Sequence, residues 1–379
     1  MAFKHIKKAV AAELFLLLAL CLLFGWRSRQ AASKDTVNEL FEETPQESDD
    51  FIKWVDFNVT CEALTDASRY DIETHGAAIE LHWIELLAIL ACQNGGDFSR
   101  YRASDMKAVA DALLSGEETI ETLREGLSSY EYYHDAYQAV LGGMLGEYEI
   151  QVKAEQEAAG DNAPAPSLAA EPLWETRYGL KVFLPIAKNF PYSDYDDFGV
   201  SRSYGYSRRH LGHDMMGQVG TPVIAVESGY VEALGWNQYG GWRIGIRSFD
   251  GMRYYYYAHL RQNRPYGEGL EIGSVVTAGD VIGYLGRTGY SAKENTNNID
   301  TPHLHFGLQI IFDESQKEGN AEIWIDCYQI IRFLYQNRCE TVRNDETKEW
   351  TRLLDMIDPA EEEYFRERPA ATAAGQAFK

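Results

Sequence analysis

The sequence has 379 residues, of which 35 are Lys or Arg and 58 are Asp or Glu, and its net charge is −23 at pH 7. Because so acidic a surface repels phosphates, we exclude nucleic acid as a partner. Apolar residues make up 45% of the chain, which excludes a wholly disordered protein. Most of the excess negative charge lies in residues 31–176, so the chain divides into regions of different character.

The N-terminus contains an apolar run, residues 9–26, that is interrupted only by Glu13. As an α-helix this run would be about 27 Å long, near the lower limit for crossing a bilayer. A cleaved signal peptide is one alternative, but no small-residue cleavage site follows the run. A lipoprotein modified at Cys21 is another, although Leu20 fits poorly before such a cysteine. We predict a single-pass membrane anchor over residues 1–30, with the bulk of the chain outside the cytoplasm.

The next three regions are acidic or helical in pattern. Residues 31–50 contain Pro and Ser among many acids, and we interpret them as a solvated stalk. Residues 51–151 have helical periodicity and predict a helical domain, with its apolar segments at residues 79–91, 104–114, 117–127 and 132–141. This domain has no catalytic pattern, so we interpret it as a spacer or as a docking site for a protein partner. Residues 152–176 are rich in Ala, Pro and Glu, which is typical of a linker.

Beyond residue 177 the pattern changes to short β-type runs that are broken by glycine. The predicted strands are residues 222–226, 229–234, 242–247, 253–259, 275–276, 280–285 and 303–311. Turn signals recur roughly every 8–12 residues, which indicates an antiparallel sheet. We therefore predict a mainly antiparallel β domain over residues 177–313, followed by a helical extension and tail over residues 314–379. The fold class is α+β multidomain, with a transmembrane helix, a helical middle domain and a C-terminal β domain.

Five of the nine histidines fall within this β-type region, between residues 210 and 305. His210 and Asp214 are four residues apart, a spacing that places them on one face of either a helix or a strand. Gly212 lies between them and lets the backbone come close between the two side chains. In a strand, the side chain of His213 would face the side opposite to His210 and Asp214, so we do not include it in the candidate site.

Two further patterns place histidines on predicted strands. His303 and His305 face the same side at the strand period of two. By the same period, Tyr255, Tyr257 and His259 are expected to share one face. Each pattern alone occurs often by chance, and for His259 alone sheet packing would be the simpler interpretation.

Taken together, the three patterns predict a catalytic Zn²⁺ site. Two histidines and one carboxylate that leave a fourth position open for water are typical of such sites. Two further histidines would lie beside the metal, where a neutral imidazole can accept the proton of water. The sequence contains no H-E-x-x-H string, which excludes a thermolysin-like helical site.

The chain contains, in this order, His210-x-Gly212-x-Asp214, Ala258-His259 and Pro302-His303-Leu304-His305-Phe306. This set resembles the motifs of the lysostaphin/LytM family of zinc endopeptidases, and the similarity covers about residues 195–312. The resemblance implies that His210, Asp214 and His305 bind Zn²⁺. It also implies that His303 and His259 activate water and stabilise the tetrahedral oxyanion.

The resemblance further implies a substrate, namely the peptide stems and cross-bridges of bacterial peptidoglycan. In some relatives a tyrosine shortly before the first ligand assists the oxyanion, and Tyr204 or Tyr206 is the candidate here. Residues 290–300 are longer than the family's usual connection, and we expect them to lengthen a wall of the cleft. We predict a membrane-anchored zinc endopeptidase of peptidoglycan. The alternative is a catalytically silent scaffold that binds the cell wall or a partner protein.

The cysteines leave the redox state open. Outside the predicted anchor they permit the pairs 61–92 and 327–339, although four free thiols explain the sequence as well. None lies within the histidine patterns, so we propose no cysteine as a zinc ligand.

Overall fold

The computed structural model describes residues 51–152, 172–203 and 207–368. The predicted anchor and stalk, residues 1–50, lie outside these ranges, as does most of the predicted linker. No helix within the described ranges is long and apolar enough to cross a membrane. The cysteines in these ranges, at positions 61, 92, 327 and 339, are all free thiols.

Five helices form the N-terminal helical region that the sequence predicts. They are α1 (Cys61–Thr74), α2 (Trp83–Asn94), α3 (Ala103–Leu114), α4 (Ile120–Arg124) and α5 (Tyr130–Leu141). Helix α2 is apolar on all sides and almost wholly buried, so it forms the centre of the bundle. Helix α1, capped by Thr60, was not predicted, because its few apolar residues are separated by charged and polar ones.

The β-rich region is built around one antiparallel sheet, as predicted. Its strands lie in the order β10-β7-β8-β9-β12-β13, and β5 also pairs with β12. Their bounds are β5 (His213–Met216), β7 (Gly229–Asn237), β8 (Gly241–Ser248), β9 (Arg253–Ala258), β10 (Val275–Val276), β12 (His303–Ile310) and β13 (Ile323–Ile325). The smaller strands are β1 (Leu145–Val152), β2 (Leu173–Leu180), β3 (Ser201–Ser203), β4 (Ser207–Arg209), β6 (Pro222–Ile224) and β11 (Val281–Tyr284).

The two faces of the main sheet have different characters. Alternate residues of β12, such as Leu304 and Phe306, are buried in the core. On β9, Tyr255 and Tyr257 also face the core, whereas His259 lines the cleft on the opposite side. The expectation that these three share a face is wrong, because β9 ends before His259, whose φ of 61° breaks the strand alternation.

The chain after residue 313 contains strands as well as helices. Besides β13, it contains β14 (Thr341–Arg343), β15 (Trp350–Arg352), β16 (Met356–Ile357), α6 (Tyr328–Leu334) and α7 (Pro359–Glu367). Strand β16 pairs with β1, which in turn pairs with β2 along its whole length. Strands β1 and β2 therefore extend across the predicted boundaries of the linker, at residues 152 and 176. The extension after residue 313, which was predicted as helical, contains both helices and strands.

A buried charge cluster joins the helical region to the main sheet. The Arg253 guanidinium, 1% exposed, binds the Glu227 carboxylate at 2.8 and 3.1 Å and Asp250 at 2.5 Å. It also donates to the carbonyl of Ala139 in α5, at 2.8 Å. The Tyr255 hydroxyl donates to the same Glu227 carboxylate. The main-sheet core and the helical bundle therefore meet at a fully hydrogen-bonded ion pair.

Candidate metal centre and cleft

Strand pairing brings the separate sequence motifs together. In the register of β12, His305 lies opposite Asp214 of β5 on one side and opposite Ala258 of β9 on the other. His210 precedes β5 by three residues and lies over the same point of the sheet. The pairing therefore places all three motifs at one end of the central strands.

Three side chains converge there within 4.8 Å of one another: His210, Asp214 and His305. Asp214 Oδ1 lies 3.0 Å from both His210 Nε2 and His305 Nδ1, and the two ring nitrogens are 2.9 Å apart. Two imidazole nitrogens and one carboxylate oxygen are ligand types that Zn²⁺ prefers. The donor set therefore fits a divalent ion such as zinc.

Gly212 allows this close packing. A Cβ atom at this position would lie 2.6 Å from His305 Cε1 and 2.7 Å from the Phe306 carbonyl oxygen. Such separations are too short for carbon atoms, so only glycine lets the chain before β5 lie against β12. The sequence predicted that the backbone comes close between His210 and Asp214 at Gly212, and the structure adds that this backbone lies against β12.

Two residues that the sequence did not indicate hold the candidate ligands in place. His210 Nδ1 lies 3.1 Å from the carbonyl oxygen and 3.2 Å from the carboxylate of Asp197. Arg202 bridges Asp197 and the second carboxylate oxygen of Asp214, the latter at 2.9 Å. Asp197 orients the ring of His210 so that Nε2 faces the cluster. No motif spacing marks either residue, because their contacts depend on how β3 and the loop before it pack against the ligands.

The electrostatics of the cluster follow from these contacts. Burial disfavours the charged form of His210, but its hydrogen bonds with Asp197 and Asp214 outweigh that effect and raise its pKa to about 9. Burial also opposes the charge of Asp214, yet hydrogen bonds from His210 and His305 hold its pKa far below the ordinary value. Burial lowers the pKa of His305 despite its bond to Asp214. Asp214 is therefore an ionised carboxylate beside the imidazoles at neutral pH.

The remaining two histidines flank this cluster. The ring of His259 lies 4.8 Å from that of His303 and 5.9 Å from that of His305. His259 Nδ1 is 2.9 Å from the Thr288 carbonyl, and His303 Nδ1 is 2.8 Å from the Thr301 carbonyl. Because a carbonyl only accepts, each Nδ1 carries the proton, and each Nε2 is left as an acceptor.

His259 is neutral at physiological pH. Its burial, followed by the nearby imidazoles of His303 and His305, lowers its pKa well below the usual 6.5. Its left-handed backbone conformation is uncommon for histidine, and such strained positions concentrate at functional sites. The structure thus places a neutral imidazole beside the cluster.

The other candidates of the sequence lie elsewhere. Tyr204 and Tyr206 fall outside the described residues, between β3 and β4. His213 points away from the cluster and pairs with Asp194 at 2.9 Å, as its strand parity predicts. Its ring contacts that of Tyr328 in α6, 5.6 Å away.

A cleft of about 890 Å³ opens above the five histidine and aspartate side chains. Its floor consists of the outward residues of β8, β9 and β12, among them Tyr254 and Tyr256. Tyr290, Ile299 and Asp300, from the longer connection before β12, line one side. The cleft is large enough to hold several residues of an extended peptide.

Comparison with known proteins supports a peptidase assignment for this part of the chain. Residues 208–318 match the model of peptidase family M23. The L-Ala–D-Glu endopeptidase of Bacillus subtilis (strain 168) is 38% identical over 149 residues, which are 39% of this chain and 42% of that protein. Lysostaphin of Staphylococcus simulans is 39% identical over 98 residues, 26% of this chain and 17% of that protein. This chain therefore spans less than half the length of either relative.

The solved structures that match include the catalytic domain of lysostaphin from Staphylococcus simulans. It is 30% identical with a TM-score of 0.30, and the match covers 37% of this chain and 92% of that domain. A structure from Ruminococcus gnavus ATCC 29149 is 23% identical with a TM-score of 0.49, and covers 76% of this chain and 93% of that one. By sequence, the chain carries a peptidase M23 domain with lysostaphin-type relatives, which confirms the resemblance over this segment.

Proposed function

We propose that this protein is a zinc-dependent endopeptidase that hydrolyses peptide bonds in the stems or cross-bridges of bacterial peptidoglycan. The observation that carries the proposal is the convergence of His210, Asp214 and His305 beside His259 and His303 in an open cleft. The relatives supply the substrate class, since they are an L-Ala–D-Glu endopeptidase and lysostaphin.

In this proposal His210, Asp214 and His305 hold Zn²⁺. When bound, the ion polarises a carbonyl oxygen and lowers the pKa of a water molecule. His259 and His303 each present an Nε2 that can accept a proton from the attacking water. Once protonated, such an imidazole donates a hydrogen bond to the developing oxyanion. Asp197 and Arg202 keep the ligand side chains oriented throughout.

We also propose that residues 1–30 anchor the protein in the cell membrane, with the bulk of the chain on the extracytoplasmic side. The support is the apolar run of residues 9–26 in the sequence. The helical region would then lie between the membrane and the peptidase domain, where it would act as a spacer or bind a protein partner.

The test is mass spectrometry of muropeptides after purified peptidoglycan is incubated with the zinc-loaded full chain in detergent. We expect one type of peptide bond to be cut. His303→Ala and His259→Ala should each lower the rate by about 10²- to 10⁴-fold while the zinc content stays stoichiometric, because they remove proton transfer rather than ligands.

His134→Ala, in the helical region, is the matched control and should leave the rate unchanged. Stoichiometric zinc and normal wall binding without any bond cut would instead identify a silent scaffold. A chain that binds no zinc would contradict the proposed metal centre itself.

A further inference from the structure

Two half-buried arginines that line the cleft have no acidic partner among the residues the structure describes. Arg208 lies on β4 and Arg243 on β8. In both, the Nε atom is buried and has no hydrogen-bond partner in the described part of the chain. The third cleft arginine of this kind, Arg202, is instead neutralised by Asp197 and Asp214. Because native proteins pair nearly all buried polar atoms, the two unpartnered Nε atoms and the two charges without an acidic partner indicate a ligand.

Arg208 is held in position by aromatic rings. Its guanidinium lies 5.7 Å from the ring centre of Tyr239 and 5.3 Å from that of Tyr290, and it donates a hydrogen bond to the Tyr290 hydroxyl. Stacking on aromatic faces fixes the plane of a guanidinium without neutralising its charge. The Tyr290 ring in turn lies 5.8 Å from that of His259. The side chain of Tyr290 therefore connects Arg208 to one of the two candidate catalytic histidines.

Arg243 lies deeper on the floor of the cleft. In the pairing of β7 with β8, Arg243 lies opposite Gly235. Gly235 has no side chain, and the position that its Cβ would occupy has no atom within 4 Å. Arg208, Arg243 and Tyr256 all line this cleft. Burial raises the pKa of Tyr256, and the charges of the two arginines oppose that rise. The ring of Tyr256 is 5.9 Å from that of His305. The arginine pair therefore lines the same cleft as the metal cluster.

The acids of the cleft do not neutralise this pair. Glu232 is engaged by Lys317 and Arg247. Asp300 and Glu318 are exposed at the rim. Glu322 accepts a hydrogen bond from the Trp324 indole, so no acid that lines the cleft forms an ion pair with Arg208 or Arg243 among the described residues.

We propose that Arg208 and Arg243 bind a carboxylate of the substrate, so that the preferred substrate is an acidic peptide. Guanidinium groups bind carboxylates through two parallel hydrogen bonds, which suits this pair. The arginine pair lines the same cleft as the candidate ligands, and one extended residue spans about 3.3–3.6 Å, so we expect the carboxylate within a few residues of the cleaved bond. This inference rests on the proposed endopeptidase function and specifies its substrate class.

The test compares two stem peptides that differ in a single group, a free carboxylate in one and a carboxamide in the other, within a few residues of the cleaved bond. With the zinc-loaded full chain we expect kcat/KM to be about 10- to 100-fold higher for the carboxylate peptide. The difference should appear mainly in KM and should shrink at high salt.

Arg243→Gln and Arg208→Gln should each move the ratio of the two kcat/KM values towards one. Arg243→Lys keeps the charge but loses the planar fork, so it should retain part of the preference. Arg366→Gln, on the surface of α7, is the matched control and should leave the ratio unchanged. The ratio separates substrate recognition from a general loss of folded enzyme, which would lower both rates equally.

Equal rates on the two peptides, or a preference that survives in the Arg208→Gln/Arg243→Gln double variant, would overturn the inference. If neither peptide is cut, the endopeptidase proposal fails, and calorimetric binding of the same two peptides still tests the arginine pair. Equal affinities, or a difference that the double variant retains, would then overturn it. A difference that the double variant abolishes would support it.

Discussion

His210 illustrates how neighbouring side chains prepare a residue for a metal ion. Its hydrogen bonds to Asp197 and Asp214 raise its pKa to about 9 despite its burial, so the metal-free imidazole is protonated at pH 7. Asp214 stays ionised at the same pH because hydrogen bonds outweigh the effect of its burial. A divalent ion that binds here must therefore displace a proton from His210.

Because zinc must displace this proton from His210, we expect zinc binding to depend on pH. Below pH 9 the apparent zinc affinity should rise about tenfold per pH unit, because each unit deprotonates ten times more of His210. Calorimetry at pH 7.5 in two buffers of different ionisation enthalpy should record about one proton released per ion bound. An affinity that is constant between pH 6.5 and 8.5, with no proton released, would falsify this account.

The same shift also affects the stability of the metal-free protein. The folded-state pKa of His210 is raised above the unfolded value of 6.5, so its contribution is fully present below pH 6.5. It is lost as the pH rises through about 9, which is opposite in sign to the effect on zinc affinity.

At the scale of elements, the site depends on how closely the segment before β5 lies against β12. The strand register places Asp214 opposite His305, and Gly212 permits the contact between His305 and the preceding chain. The sequence indicated this glycine correctly, since the pattern requires a close approach between the two ligands. It did not indicate that β9 ends before His259, because strand periodicity contains no signal for a left-handed residue.

Gly212→Ala tests this packing. The added methyl group would collide with the His305 ring and the Phe306 carbonyl, so it should displace the ligand and lower zinc affinity by about 10- to 100-fold. The strain should also cost about 1–3 kcal/mol of unfolding free energy. Zinc competition with a chelator and urea denaturation measure the two effects.

Gly179→Ala, on β2, is the matched control. Its Cβ would make only an ordinary contact, 3.9 Å from Ile72 Cδ1, so zinc affinity should not change. Unaltered zinc binding in Gly212→Ala would show that β5 and β12 do not need to approach so closely.

At the scale of the whole molecule, the described residues between 52 and 368 belong to one compact unit. The Arg253 cluster is part of the reason, because its guanidinium connects Glu227 of the β region to the carbonyl of Ala139 in α5. Gly143 allows this contact, since any side chain there would overlap the Glu227 carboxylate. The helical region and the sheet thus share polar as well as apolar contacts.

Arg253→Met should therefore destabilise the fold strongly. It leaves the Glu227 carboxylate buried without its cation, at a cost of about 3–5 kcal/mol in the free energy of unfolding. Replacing the pair together, as Arg253→Met/Glu227→Leu, should recover much of this loss because no unpaired charge remains. Urea denaturation of the zinc-loaded protein measures both.

Arg366→Met, which breaks the exposed pair with Glu363, should change stability little. If the single Arg253→Met variant cost no more than this surface control, the buried cluster would not contribute to the stability of the fold.

The sequence alone determined much of the candidate site. The spacing of His210, Gly212 and Asp214, and the alternation of His303 and His305, follow from local backbone geometry, which short motifs reflect directly. The antiparallel β domain and the helical region were predictable for the same reason, because apolar periodicity reports which face of each element is buried.

Only the tertiary structure decided the contacts between segments that are distant in the sequence. Asp197, Arg202, Arg208 and Arg243 acquire their surroundings from loops and strand register, for which no spacing rule exists. The same holds for the Arg253 contact with α5 and for the strands after residue 313. Local periodicity determines which side of an element is apolar, but the partner across the interface depends on the packing of the whole chain.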